Sequence, residues 1–176
     1  MTVGPETAGL EDRVIKKTLP NGLTVLVKQD RSAPIVAVNV WFGVGSVNET
    51  EKMNGLAHFQ EHMVFKGTER YGVGEIPNLV KARGGNLNAG TSYSYTMYYI
   101  VLPSRAFADA LDIQADAMMR STFDPAEFQK ERLVVIDEAR MYDDRPESYT
   151  FYRTMELGFS KHNYRRPIAG YQPIVE

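Results

Sequence analysis

Cysteine is missing altogether from the 176 residues. That excludes a disulfide framework, an Fe–S cluster, a thiolate nucleophile and a Cys-type zinc ribbon. Histidine is scarce, with three in the chain, so any metal site has to be assembled from those three together with Asp or Glu. Neither sign of charge dominates: 20 Lys and Arg stand against 22 Asp and Glu, a net charge of −2. A nucleic-acid partner, whose phosphates need a basic stripe, is therefore not expected. No apolar run approaches the roughly 20 residues of a bilayer-spanning helix. Residues 1–10 lack the basic and apolar regions of a signal peptide, which favours the cytoplasm. A leader already cleaved would leave no trace and would put the same chain in the periplasm. What is present, 43% hydrophobic and 24% charged residues, is the composition of a folded domain, and the length sets one such domain.

The pattern along the chain mixes strand and helix signals. Residues 1–12 carry no periodicity and predict a frayed start, with a single domain over 13–176. Two β-rich runs at 14–18 and 23–28 flank Asn21-Gly22, a hairpin signal. Residues 35–42 follow a proline and read as a strand buried on much of both faces. Asn54 is placed to cap a helix over 55–66, with Gly67 as its stop. A second helix over 75–83 ends at Gly84-Gly85, and strands follow at 86–91 and 93–102. Residues 104–122 are amphipathic, with Phe107, Leu111 and Met118 on one stripe and Ala106, Ala110, Ile113 and Ala117 beside it. Asp124 and Pro125 open a helix reaching 143, whose middle, Leu133 to Ile136, is apolar enough to be buried. A Tyr-rich helix over 147–158 precedes an irregular tail that stops without a finished strand pair. The domain is thus expected to be incomplete at its C-terminus.

The chemistry concentrates at His58-Phe59-Gln60-Glu61-His62. Residues four apart share a helical face, so both imidazoles reach one point. Glu61 borders that face and can approach a metal-bound water without being a ligand. An isolated histidine pair at this spacing reads as an ordinary surface or core pair; the glutamate and the helical setting weigh against that here. A catalytic zinc needs three protein ligands and one open position. His162 lies in a polar turn, whereas Glu131 and Glu138 sit two turns apart on one face of the apolar helix. A carboxylate there is costly unless it is paired or metal-bound. Glu138 is assigned as the third ligand and Glu131 as its outer neighbour; the competing reading for each is a salt bridge to Lys130, Arg132 or Arg140.

These residues resemble the inverzincin family of zinc metallopeptidases, which includes pitrilysin, insulin-degrading enzyme and the mitochondrial processing peptidase. Leu19-Pro-Asn-Gly-Leu23, Gly55-Leu-Ala57, Phe65-Lys-Gly-Thr68 and Gly84-Gly-Asn-Leu-Asn-Ala89 extend the likeness over about residues 14–172. The resemblance implies an α+β fold, a largely antiparallel sheet flanked by helices of the pitrilysin N-terminal type. It implies Zn²⁺ held by His58, His62 and Glu138, Glu61 as general base, and Glu131 as a supporting acidic residue of the catalytic site. Asn88, Ala89 and Gly90 fall on the strand that, in the family, adds a peptide or unfolded polypeptide substrate to its edge. A second homologous domain or subunit is the implied partner, and an edge left unpaired predicts a homodimer or strand exchange. Two positions depart from the family. Gln60 stands where an apolar residue is usual and should alter helix packing, a buried amide needing hydrogen-bond partners. Gly90 replaces a larger residue and should widen the substrate pocket.

Other features carry less. Asp109, Asp112 and Asp116 form a stripe at helical spacing that reads as a solvated face. The tyrosines at 93, 95, 98 and 99 read as core and sheet surface, and Gly43-x-Gly45 and Gly72-x-Gly74 lack the rest of a nucleotide loop. Two functions follow: a zinc endopeptidase domain, or a zinc-holding binding and assembly module that turns over nothing without its second half.

Overall fold

The computed structural model describes residues 14–171, so the expected frayed start lies outside the described residues. The chain divides into two compact units at Pro34. In the first, β1 (Val14–Thr18) pairs antiparallel with β2 (Thr24–Lys28), Thr18 opposite Thr24. The Asn-Gly signal marks a hairpin, and β2 begins at Thr24, one residue later than the sequence suggests. Asn21 Oδ1 accepts from Leu23 N, and Gly22 takes φ +87°.

The second unit is built on an antiparallel sheet of order β3-β5-β4. Its strands are β3 (Ile35–Phe42), β4 (Asn86–Thr91) and β5 (Thr96–Pro103). Among the described residues five α-helices accompany it: α1 (Leu56–Val64), α2 (Glu75–Ala82), α3 (Phe107–Arg120), α4 (Pro125–Asp144) and α5 (Pro146–Gly158). This is the α+β architecture expected, with an all-antiparallel sheet. On β5 every second side chain is buried, as a half-covered strand requires. Tyr98, Ile100 and Leu102 point to one face and pack with Val38, Ile76, Val80, Ala110, Ile113 and Ala117. Among the described residues β4 and β3 each pair only with β5, so both are edges. None of the described helices is long and apolar enough to cross a membrane.

Several local expectations are corrected. Strand β3 is not buried on both faces: Ala37, Asn39 and Trp41 are exposed while Val38 is buried, so its apolar run covers one side only. On α3 two alanines, Ala110 and Ala117, meet the sheet with Ile113 between them and Met118 packed alongside, whereas Phe107 and Leu111 remain about half exposed, at 47% and 51%. Small side chains let the helix approach closely, and that wins over the larger apolar stripe. The aspartates of α3 are a solvated face only in part: the side chains of Asp109 and Asp112 are about half exposed, and that of Asp116 is buried. Asp109 pairs with Arg83, Asp112 with Arg70, and the buried Asp116 with Arg120. On α4 the apolar run divides, Val135 and Ile136 inward, Leu133 and Val134 outward. Asp124 does cap α4, accepting from Ala126 N and Glu127 N.

The start of α1 differs most from expectation. Asn54 makes no cap; its Nδ2 donates to Glu49 Oε2 and to Pro167 O. The buried Glu49 takes the role instead, accepting from Gly55 N at 2.8 Å and Ala57 N at 2.7 Å. A carboxylate on the free N–H groups of a helix start satisfies orphan donors and complements the dipole. Arg166 and Asn163 in turn donate to the Glu49 carbonyl, which ties this loop to the chain's later part. Gly55 stands at φ +95°, and a Cβ there would lie 2.8 Å from Ala169 O. Gly55→Ala is therefore expected to lower stability by about 1–3 kcal/mol from backbone strain alone, read as a drop in the melting transition.

Candidate metal centre

Helix α1 presents His58, Glu61 and His62 toward α4 and the β4 edge. His58 is 7% exposed. Its Nε2 lies 3.2 Å from His62 Nε2. Glu138 Oε2 from α4 lies 3.6 Å from His58 Nε2 and 3.3 Å from His62 Nε2. Among the described residues this is the one group of three metal-capable side chains whose ligand atoms converge, all within 4.8 Å of one another. Three donors at 2.0–2.1 Å from a tetrahedral zinc would be about 3.3–3.4 Å apart. The donor set fits a zinc ion in spacing as well as in chemistry.

Hydrogen bonds from the surroundings hold two of the donors, His62 and Glu138. His62 Nδ1 donates to Glu131 Oε1 at 2.9 Å, which directs the lone pair to Nε2. Lys66 Nζ reaches Glu131 Oε2 at 2.5 Å and compensates its charge. Tyr142 donates its hydroxyl to Glu138 Oε1 at 2.9 Å. Burial, with the charge of His62, lowers His58 to about 4, so this imidazole is neutral and open to a metal at neutral pH. Burial pushes His62 down too, but its bonds with Glu138 and Glu131 outweigh that and carry it above its ordinary value. The His62 contact, working against burial and aided by His58 and Tyr142, holds Glu138 down at about 2. Burial plus the Glu138 bond pushes Tyr142 up to about 12, leaving it a protonated donor.

Glu61 stands apart from the three. Its Oε2 accepts the Thr91 hydroxyl at 2.7 Å, and burial raises its carboxyl above the usual carboxylate range. A cavity of about 210 Å³ opens beside it, lined by His58, Glu61, Glu138, Tyr142, Tyr152 and the β4 residues Ala89, Gly90 and Thr91. Asn88 is exposed, its Oδ1 accepting from Ala89 N. A Cβ on Gly90 would meet only Met97 Cε at 3.8 Å, so the space its absence leaves is real but not needed for the fold. Gln60 is exposed rather than buried, and its amide needs no protein partner. His162 is also exposed, capping a short 3-10 turn away from the cluster.

Three partners of these groups escape a reading of the sequence. Lys66 follows His62 by four residues and Tyr142 follows Glu138 by four, the spacing that stacks side chains along one helical face. Those signals were available. Thr91 had none, because only the fold brings β4 against α1, 30 residues away.

Comparison with known proteins places the chain in a family. The family description "Insulinase (Peptidase family M16)" matches residues 24–172. A protein of Bacillus subtilis named as the uncharacterized zinc protease YmxG is 38% identical over 153 residues, 87% of this chain and 37% of its own. The mitochondrial-processing peptidase subunit beta of Blastocladiella emersonii is 39% identical over 152 residues, 86% of this chain and 33% of its own. A protease from Helicobacter pylori, known from its crystal structure, superposes with a TM-score of 0.88 at 31% identity, covering 92% of this chain and 39% of that one. The chain thus spans little more than a third of the length of these relatives. Matched over most of its own residues in sequence and in fold, the chain belongs to the insulinase family, peptidase family M16.

Proposed function

We propose that this chain carries the zinc centre of an endopeptidase, with His58, His62 and Glu138 as metal ligands and Glu61 as general base. One observation carries the reading: two imidazole Nε2 atoms and a carboxylate oxygen converge with separations of 3.2–3.6 Å. The names of the relatives, zinc protease and processing peptidase, support both the metal and the reaction. Bound there, zinc would polarise a peptide carbonyl and lower the pKa of its water to about 7.

The chain's own residues do the rest. His62 donates from Nδ1 to Glu131 and keeps Nε2 unprotonated, with Lys66 compensating the carboxylate. Thr91 engages Glu61 and holds the carboxylate that would take the attacking water's proton and pass it to the leaving amine. Raised by burial, Glu61 is a stronger base than an exposed carboxylate. The substrate is a peptide or unfolded polypeptide lying as an added strand along β4 at Asn88, Ala89 and Gly90, fixed by main-chain hydrogen bonds. The β4 edge beside the cavity supports that placement.

Zinc analysis is expected to find one ion per chain, removable by chelation. His58 is already neutral at mildly acid pH and Glu138 already ionised, so His62 alone competes with zinc for a proton. Between about pH 5 and 6.5 the apparent zinc affinity should rise about tenfold per pH unit, one proton released per ion. A slope of two protons, or no zinc binding, would sink the assignment.

The second reading, a zinc-holding assembly module inactive alone, draws on the chain's covering about a third of its relatives. A relative named as a subunit supports a partner. Hydrolysis of a quenched fluorescent peptide by this chain, alone and mixed with a second homologous domain, separates the two: activity alone favours the peptidase, activity only in the mixture favours the module.

A further inference from the structure

Glu138 has two carboxylate oxygens, and they face different ways. Oε2 faces the two histidines at 3.3 and 3.6 Å. Oε1 accepts the Tyr142 hydroxyl at 2.9 Å. Both residues belong to α4, one turn apart, so a rigid helix fixes the distance between them. The Tyr142 ring is itself held: it meets the Tyr152 ring edge-on, centroids 6.2 Å apart, and Tyr152 meets Phe151 in turn. Tyr152 comes from α5, so the phenol is braced by a second element. A carboxylate can grip a cation with one oxygen or with two, and two would add a donor beside the position a catalytic site keeps open for water.

We propose that Tyr142 is a positioning residue that occupies Glu138 Oε1 and so commits this ligand to a single oxygen, Oε2. The inference rests on the metal-centre reading above. Removing the hydroxyl frees the carboxylate to rotate about its terminal bond, costing ligand orientation and changing coordination number. Outer partners of metal ligands are typically worth 10–100-fold in affinity. Tyr142 also lines the cavity, yet nothing in this argument requires it to touch substrate.

The test uses the chain itself and needs no peptidase activity. Zinc affinity is measured by competition with a chromophoric chelator for the wild type, Tyr142→Phe, Glu138→Gln and the double variant, with metal-free melting curves for each. Tyr142→Phe is expected to bind zinc about 10–100-fold more weakly while melting as the wild type does. In the Glu138→Gln background the same change should cost nothing further, because the residue acts through that carboxylate. A merely structural tyrosine would cost the same in both backgrounds. The cobalt-loaded protein adds an independent readout: its visible absorption should weaken in Tyr142→Phe as coordination expands from four to five.

Tyr142→Phe affinity within twofold of the wild type, with an unchanged cobalt spectrum, overturns the role of Tyr142 and leaves the metal centre standing. Equal losses in both backgrounds overturn it as well. A wild type that binds no zinc overturns the metal centre, and this inference with it.

Discussion

Glu61→Gln is expected to keep zinc affinity within a few-fold of the wild type while lowering peptide hydrolysis by about 10²–10⁴-fold, the usual contribution of a positioned general base. Both are measured on one preparation that hydrolyses peptide in its wild-type form. The expectation follows from where Glu61 sits. It shares the helix with both histidines, yet the converging donors are His58, His62 and Glu138, and Glu61 lies outside them. The amide oxygen of glutamine can still accept from Thr91, so the side chain keeps its place. What is lost is a basic oxygen. A linked effect on stability separates loss of chemistry from loss of fold. Burial raises the Glu61 carboxyl in the folded chain above its unfolded value. The folded state therefore holds that proton more tightly, and stability falls as pH rises through the unfolded and then the folded pKa. Above that pKa the ionised, half-buried carboxylate costs stability, and glutamine removes the cost. The metal-free variant should melt at least as high as the wild type at pH 7. Retained hydrolysis would remove Glu61 from the mechanism; a lower melting transition would show that the side chain holds structure instead.

Elements whose limits are set by local chemistry were legible from the sequence. Helix α2 stops at Ala82, before Gly84 at φ +78°, and α4 starts behind the Asp124 cap and Pro125. Strand β4 has the limits its turn residues suggest. The strand expected at 93–102 begins instead at Thr96, because residues 92–95 form the turn between β4 and β5, closed by Ser92 N to Tyr95 O. What was not legible depended on partners distant in the chain. Asn54 has the right chemistry for a cap, but Glu49, five residues earlier, reaches further and brings a full negative charge to the same N–H groups. Which face of α3 turns inward was decided by how closely the helix could approach β5, which periodicity does not encode. The candidate metal centre divides in the same way. The histidine pair is local, on one helix. Glu138 and Glu131 were drawn from a shared face, and the fold gives them different places, one at the two Nε2 atoms and the other at His62 Nδ1.

That difference in place predicts a difference in consequence. Glu138→Gln should weaken zinc binding by more than about 100-fold, beyond the 10–100-fold range of outer partners, because an anionic ligand becomes a neutral, poorly donating amide. Glu131→Gln should stay within that range. Its carboxylate meets the imidazole nitrogen turned away from the other donors, so its loss loosens the orientation of His62 without removing a ligand atom. The two variants also part in pH behaviour. Glu138 and Glu131 both raise His62, with Glu138 the larger contributor. Removing either charge lowers the pKa of His62, so proton competition with zinc should fade at a lower pH than in the wild type, and more so for Glu138→Gln. Burying Glu131 costs little while it holds Lys66 and His62, and those bonds keep it below the usual carboxylate range despite burial. Its glutamine variant takes the counter-charge from the Lys66 ammonium, and so should lower the metal-free melting transition slightly as well. Chelator competition across pH 5–8 on the two variants, with melting curves alongside, checks each point. Equal zinc affinities in the two variants would mean that the two helical turns between these glutamates do not separate a ligand from its support.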